Sequence, residues 1–211
     1  MFNSQQHATP RRYLYTAVGV VVLAVVSLLS DAIGMYLNDG RHQILNFWHF
    51  FFSRIFNAGV LWAALSFYVG WLFKNGRLTN WYAPVIAILA MECTLIVHYG
   101  LGVLIGFMDN TIWSGNEQWF IAAVVLCGPI GWLGAIASRH DFFGYSARFT
   151  LPLIALVESM YKIYLELPCT MSCLDPDHIS ICIVSALLFV VGIYSTIMVI
   201  RSISRDRRTH S

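Results

Sequence analysis

Residues 13–35 form the apolar run that decides the fold, and they read YLYTAVGVVVLAVVSLLSDAIGM. The run is longer than the ~7–15 apolar residues of a signal-peptide core, so we expect it to be retained. It has the ~20 residues that an α-helix needs to cross the hydrocarbon core of a bilayer. Asp31 is its one charged residue. The run therefore predicts a first membrane-spanning helix.

Further apolar runs of this kind follow along the chain, separated by polar segments such as Asn38-Asp39-Gly40 and Asp175-Pro176-Asp177. Because the bilayer core holds no water, each run has to satisfy its own backbone hydrogen bonds, and a helix does so. The sequence therefore predicts an all-α polytopic membrane protein, with one domain of six transmembrane helices over residues 13–200. The predicted spans are at about residues 13–36, 50–73, 81–107, 118–138, 149–167 and 178–200.

The composition agrees with a membrane protein and excludes other classes. The chain of 211 residues is 58% hydrophobic and only 11% charged, whereas a soluble domain averages about 25% charged residues. The net charge of +2 gives no strongly basic surface for nucleic acid, and the apolar excess excludes a disordered chain. We therefore expect the lipid bilayer as a partner, and no nucleic acid.

The distribution of basic residues predicts the orientation in the membrane. Lys and Arg accumulate in cytoplasmic loops; of the 13 in this chain, ten lie on one side of the predicted spans and only Arg41 on the other. Both termini are therefore predicted to be cytoplasmic, as an N-terminal tail at residues 1–12 and a basic tail at 201–211 of a multi-pass protein of the cell membrane. The ten basic residues are Arg11, Arg12, Lys74, Arg77, Arg139, Arg148, Arg201, Arg205, Arg207 and Arg208.

Ionisable side chains within the predicted spans are the candidates for function, because a charge inside a bilayer is costly. At 1.5 Å per residue, Glu92 lies ~16 Å into the third span and Glu158 ~13 Å into the fifth, so both are near the midplane. The other polar side chains lie toward the outer side of their spans. We therefore expect a cavity that opens outward. Its candidate lining residues are Asp31, Arg54, Asn57, Glu92, His98, Glu158 and Lys162.

Most of these charged residues also have a structural explanation. Glu158 and Lys162 are spaced i, i+4 on one helix face, so their charges can neutralise each other. Arg54 can extend to the outer headgroups or pair with a loop carboxylate. Asp31 can cap or hydrate the end of its span, and His98 can make a structural hydrogen bond. The sequence leaves both explanations open for each residue.

Glu92 is the strongest functional candidate, because it has no partner close in sequence. Its neighbours Met91 and Cys93 are apolar. A carboxyl in such surroundings needs a partner on another helix or a shift toward its neutral form.

The fourth predicted span contains Gly128-Pro129-Ile130-Gly131-Trp132-Leu133-Gly134. Its glycines allow close helix approach, and Pro129 frees a backbone carbonyl. Either a packing kink or an exposed backbone that lines a site explains this segment.

The cysteines and the absence of known catalytic motifs do not indicate a particular chemical reaction. Cys169 and Cys173 flank a predicted external loop, and their spacing leaves a disulfide, free thiols or metal ligation open. The sequence has no P-loop, HExxH, GxSxG or CxxCH motif. We therefore predict no catalytic residue, no resident metal and no cofactor, and we regard an enzyme as the less favoured class.

Two stretches carry a family resemblance. One is Asn57-Ala58-Gly59-Val60-Leu61-Trp62 with Phe67 and Gly70, and the other is Trp119 with the Gly128–Gly134 segment and Glu158 downstream. They resemble an uncharacterised family of bacterial integral membrane proteins, domain of unknown function 6518, over about residues 50–165. That resemblance implies a small bacterial membrane protein and supplies no known activity. The chain is also similar to the substrate-binding S-components of energy-coupling-factor transporters, which implies an outward-opening site.

Two functions agree with these observations. In the first, the protein binds or transports a small solute through the outward-facing polar cavity. In the second, it is a structural, assembly or immunity subunit, and the polar residues hold its helices together within a membrane complex with a partner subunit.

Overall fold

The structure of the protein is a computed structural model that describes residues 8–37, 43–74, 81–166 and 175–210. Every regular element in these ranges is helical. Most are α-helices, and one π-helical turn, named π1, interrupts the region of the fourth predicted span. The elements are α1 (Ala8–Leu37), α2 (Gln43–Phe56), α3 (Gly59–Leu72), α4 (Tyr82–Leu104), α5 (Ile112–Gly115), α6 (Glu117–Ala122), π1 (Ala123–Cys127), α7 (Gly128–Ile136), α8 (Phe142–Ala147), α9 (Thr150–Glu166) and α10 (Pro176–His210).

Within the described residues, five helical segments are long and apolar enough to cross a membrane. Their large apolar side chains remain exposed on the protein surface; Ile121 and Val190, for example, are both 64% exposed. So much exposed apolar surface is typical of a face that contacts lipid. The protein is therefore a multi-pass membrane protein, as predicted. The five segments are Pro10–Ile33, Ile44–Leu72, Tyr82–Leu104, Glu117–Ile136 and Pro176–Asp206.

The predicted fifth span, residues 149–167, corresponds to α9, which has 17 described residues. At 1.5 Å per residue α9 is about 25 Å long, and it carries Glu158, Lys162 and Glu166. The described part of α9 is therefore shorter than a membrane-spanning helix requires. The count of six spans and the cytoplasmic position of the termini remain predictions.

Two predicted spans differ from simple continuous α-helices. The segment Ile44–Leu72 is interrupted at Asn57 and Ala58, between α2 and α3. The segment Glu117–Ile136 includes π1, directly before Gly128 and Pro129. At the C-terminus, α10 continues to His210, through most of the predicted tail at 201–211.

The chain divides into two compact units. The first unit comprises Met1–Leu28 and Ala64–Ser138, and the second comprises Leu29–Ala63 and Arg139–Ser211.

The first unit depends on close backbone approach. A Cβ atom added to Gly134 would lie 2.0 Å from the carbonyl oxygen of Phe67, and one added to Gly70 would lie 1.8 Å from that of Gly131. Small residues allow such approach and are favoured where membrane helices pack. The glycines of the fourth predicted span therefore serve packing. Next to them lies an apolar cluster of Val20, Val69, Phe73, Ala87 and Ala90.

The second unit is built on α10, against which both α9 and α2 pack. The fully buried Ser159 of α9 donates a hydrogen bond to the carbonyl oxygen of Ser185 at 2.7 Å. At the start of α8, the Gly144 N–H donates to Asp141 at 2.8 Å. This hydrogen bond is the main reason that the pKa of Asp141 lies below its ordinary value.

We predict that G134A lowers the free energy of unfolding by about 1–3 kcal/mol, because the new methyl group overlaps a backbone carbonyl that has no room to move. Thermal unfolding of the purified protein measures the loss. G100A is the matched control, since a Cβ at Gly100 has no atom within 4 Å. Equal stabilities of G134A and G100A would contradict the packing described here.

Candidate functional site

The break in the second candidate span is the centre of the site. α2 ends at Phe56 and α3 begins at Gly59. The Asn57 N–H still bonds to the Ser53 carbonyl at 3.0 Å, and the Ala58 N–H bonds to Ile55 at 3.1 Å. The first N–H groups of a helix have no intrahelical acceptor. The start of α3 therefore needs acceptors from elsewhere, in a part of the chain that is apolar enough to lie in a membrane.

Glu158 of α9 supplies these acceptors. Its carboxylate accepts hydrogen bonds from the N–H of Gly59 at 3.0 Å and from that of Val60 at 2.8 Å. An anion in this position also interacts favourably with the positive end of the α3 dipole. Lys162 Nζ lies 3.0 Å from Glu158 Oε1, and the side chains of Glu158 and Lys162 are 15% and 19% exposed. The predicted i, i+4 ion pair is therefore present, and it caps a helix.

Asp31 and Asn57 are in contact at the break. The Asn57 amide donates a hydrogen bond to Asp31 Oδ1 at 2.9 Å. Asn57 is exposed and Asp31 is half-buried. The break thus brings together the side chains of Asp31, Asn57, Glu158 and Lys162, which come from α1, the break itself and α9. We call these four residues the break cluster.

Arg54 forms a separate contact in the same unit. Its guanidinium donates hydrogen bonds to Asp177 and to Ser180 Oγ, and it lies 5.4 Å from the centre of the Phe50 ring. Asp177 lies in the first turn of α10. The acidic partner expected for Arg54 is therefore Asp177, and this ion pair connects α2 to α10.

His98 belongs to the first unit, where it is buried. Its Nδ1 lies 3.4 Å from the carbonyl oxygen of Ala24, and its ring packs edge-on against Tyr99 with 4.9 Å between ring centres. These contacts connect α4 to α1. They match the structural explanation of this histidine.

Glu92 also belongs to the first unit, and its environment is different. It forms no hydrogen bond or ion pair with any residue that the structure describes, and its Oε1 is enclosed without a donor. It interacts electrostatically with the thiol of Cys127 in π1. No acid–base partner from the described residues accompanies Glu92.

The seven candidates therefore fall into two groups. Five lie in the second unit, four of them in the break cluster, while Glu92 and His98 lie in the first unit. Sequence reasoning missed the role of the Gly59 and Val60 backbone N–H groups. The signal for it was Asn57-Ala58-Gly59, a turn-forming combination within an apolar run.

Several predictions concern residues outside the described ranges. Cys169 and Cys173, for which a disulfide, free thiols and metal ligation are open, lie there. So do residues 1–7 of the predicted N-terminal tail and the loop residues Arg41 and Arg77. Within the described residues, no group of three His, Cys, Asp or Glu side chains could hold a metal ion. Cys93, Cys127 and Cys182 are free thiols.

Comparison with protein-family models, with curated proteins and with solved structures finds no match. The two family resemblances of the sequence therefore stay predictions.

We predict that E158A lowers the free energy of unfolding by about 3 kcal/mol, because it removes two helix-capping acceptors and leaves the Lys162 charge without its partner. K162A alone should cost less, since the carboxylate keeps its two N–H donors. The double variant E158A/K162A should lose clearly less stability than the sum of the single losses. Additive losses in thermal unfolding would contradict a coupled pair at the break.

Proposed function

We propose that the protein binds or transports a small polar solute at the break cluster, within a bundle of six transmembrane helices whose sixth member is α9. In this proposal both termini are cytoplasmic, the protein lies in the cytoplasmic membrane of a bacterium, and the break faces an outward-opening polar cavity.

The observation that carries the proposal is the interrupted second span with polar side chains gathered around it. Transporters commonly form their binding sites at discontinuous membrane helices, where half-helix ends and freed backbone groups contact the substrate. Charged residues in membrane spans face the protein interior or a water-filled cavity. Asn57 and Gly59 are exposed at the break, which is compatible with access of a solute to its polar groups.

The charged residues of α9 are compatible with its assignment as a span. Glu158 and Lys162 compensate each other, and this reduces the cost of placing two charges in the bilayer. The ten basic residues on one side of the predicted spans support the orientation.

A structural or assembly subunit is the second candidate function. It is favoured by the ion pairs Arg54–Asp177 and Glu158–Lys162, which satisfy charges within the chain. In this function the same residues act as contacts between helices, and the break is closed to water.

Water access to Asn57 separates the two functions. In a variant whose native cysteines are replaced by serine, we expect N57C to react with a membrane-impermeant maleimide, because a solute cavity brings water to the break. The matched control is L61C, four residues after Asn57 in the first turn of α3, where Leu61 is 37% exposed and faces lipid in this proposal. The measurement is the rate of labelling in intact membranes.

N57C should be labelled at least about tenfold faster than L61C, the difference expected when water rather than hydrocarbon surrounds a thiol that has to ionise. Equal, slow labelling of both positions in a folded protein would contradict the solute cavity and favour the structural subunit.

A further inference from the structure

Two glutamates occupy similar depths in their helices but have different surroundings. Glu158 has two backbone N–H donors and Lys162 around its carboxylate. Glu92 has no such partner among the described residues, although it lies ten residues from the start of α4, about 15 Å along its axis. Its Oε1 is enclosed and receives no hydrogen bond from the residues that the structure describes.

The helix that carries Glu92 offers it no cation. On a helix, the side chains closest to a given residue on the same face are those three and four positions away. Around Glu92 they are all aliphatic: Ile88, Leu89, Leu95 and Ile96. His98 lies six positions away and contacts the Ala24 carbonyl instead.

The helices packed against α4 offer no cation at this level either. α7 has no titratable side chain, and π1 contributes only Cys127, the thiol that interacts with Glu92. The other titratable residues of the packed segments lie near helix ends or on an exposed face. They are Arg11, Arg12, Tyr13 and Tyr15 at the start of α1, Asp31 and Tyr36 toward its C-terminal end, Tyr68 on α3, and Glu117 at the start of α6.

A carboxylate in the middle of a membrane span without a partner is unfavourable, and such a group takes up a proton instead. From this geometry we propose that Glu92 is an intramembrane proton-binding site, which carries its proton in the described conformation. Binding one proton changes the side chain from an anion to a neutral carboxylic acid. Because the described surroundings lack a donor for the anion, release of the proton requires water or a donor to reach Glu92.

The segment next to Glu92 provides a place for such a change. π1 departs from α-helical hydrogen bonding, and Pro129, two residues after π1, has no N–H to continue it. Single π-helical turns within α-helices are frequent at functional sites. Proton binding at Glu92 can therefore favour one arrangement of α4 and π1 over another. The proposal uses no residue of the break cluster and does not depend on the proposed function.

The test is modification of the purified full-length protein by dicyclohexylcarbodiimide, an apolar reagent that reacts with protonated carboxyl groups. We expect an adduct on Glu92, located by mass spectrometry of peptides. Its yield should fall about tenfold per pH unit once the pH exceeds the titration midpoint, since only the protonated form reacts. E92Q should abolish the adduct, E92D should retain it, and E158Q should leave it unchanged.

Infrared spectroscopy gives a second readout that does not depend on access of the reagent. The wild-type protein at neutral pH should show the carbonyl absorption of a protonated carboxyl group, and E92Q should lose it. Absence of this difference between folded wild type and E92Q would overturn the proposal. An adduct on Glu158 in place of Glu92 would overturn it as well.

Discussion

The hydrogen bonds from the Gly59 and Val60 N–H groups to the Glu158 carboxylate are the interaction on which the second unit depends. In hydrocarbon, no water replaces a missing backbone partner, so a helix can be interrupted there only where other groups satisfy the freed N–H and C=O groups. Glu158 does this for α3, and Lys162 compensates the charge that the cap introduces. The break in the second candidate span is therefore satisfied by contacts with α9.

The contrast between Glu158 and Glu92 shows how the surroundings determine the role of a residue type. Glu158 is fixed by two backbone donors and by Lys162, so its carboxyl group is part of the structure. Glu92 lies among aliphatic side chains, and one of its carboxyl oxygens is enclosed. In the proposal above, the protonation state of Glu92 is therefore what changes. The first residue therefore maintains a conformation, and the second is suited to respond to pH or to a proton gradient.

The sequence predicted those features that depend on neighbours along the chain. Apolar runs located the five segments that are long and apolar enough to cross a membrane, and the i, i+4 spacing predicted the contact of Glu158 with Lys162. The partners of longer range could not be predicted, because Glu158 reaches Gly59 across 99 positions and Arg54 reaches Asp177 across 123. The interruption of the second span was missed because average hydropathy does not detect two non-helical residues within an apolar run. α10 continues through most of the predicted tail, because charged residues can continue a helix.

Amide hydrogen exchange of Gly59 and Val60 in the membrane-embedded protein tests the central claim most directly. The account predicts slow exchange at both amides in the wild type and fast exchange at both in E158A, with the amides in the middle of α3 unchanged. Equal protection of Gly59 and Val60 in wild type and E158A would contradict it, because their N–H groups would then have acceptors other than Glu158.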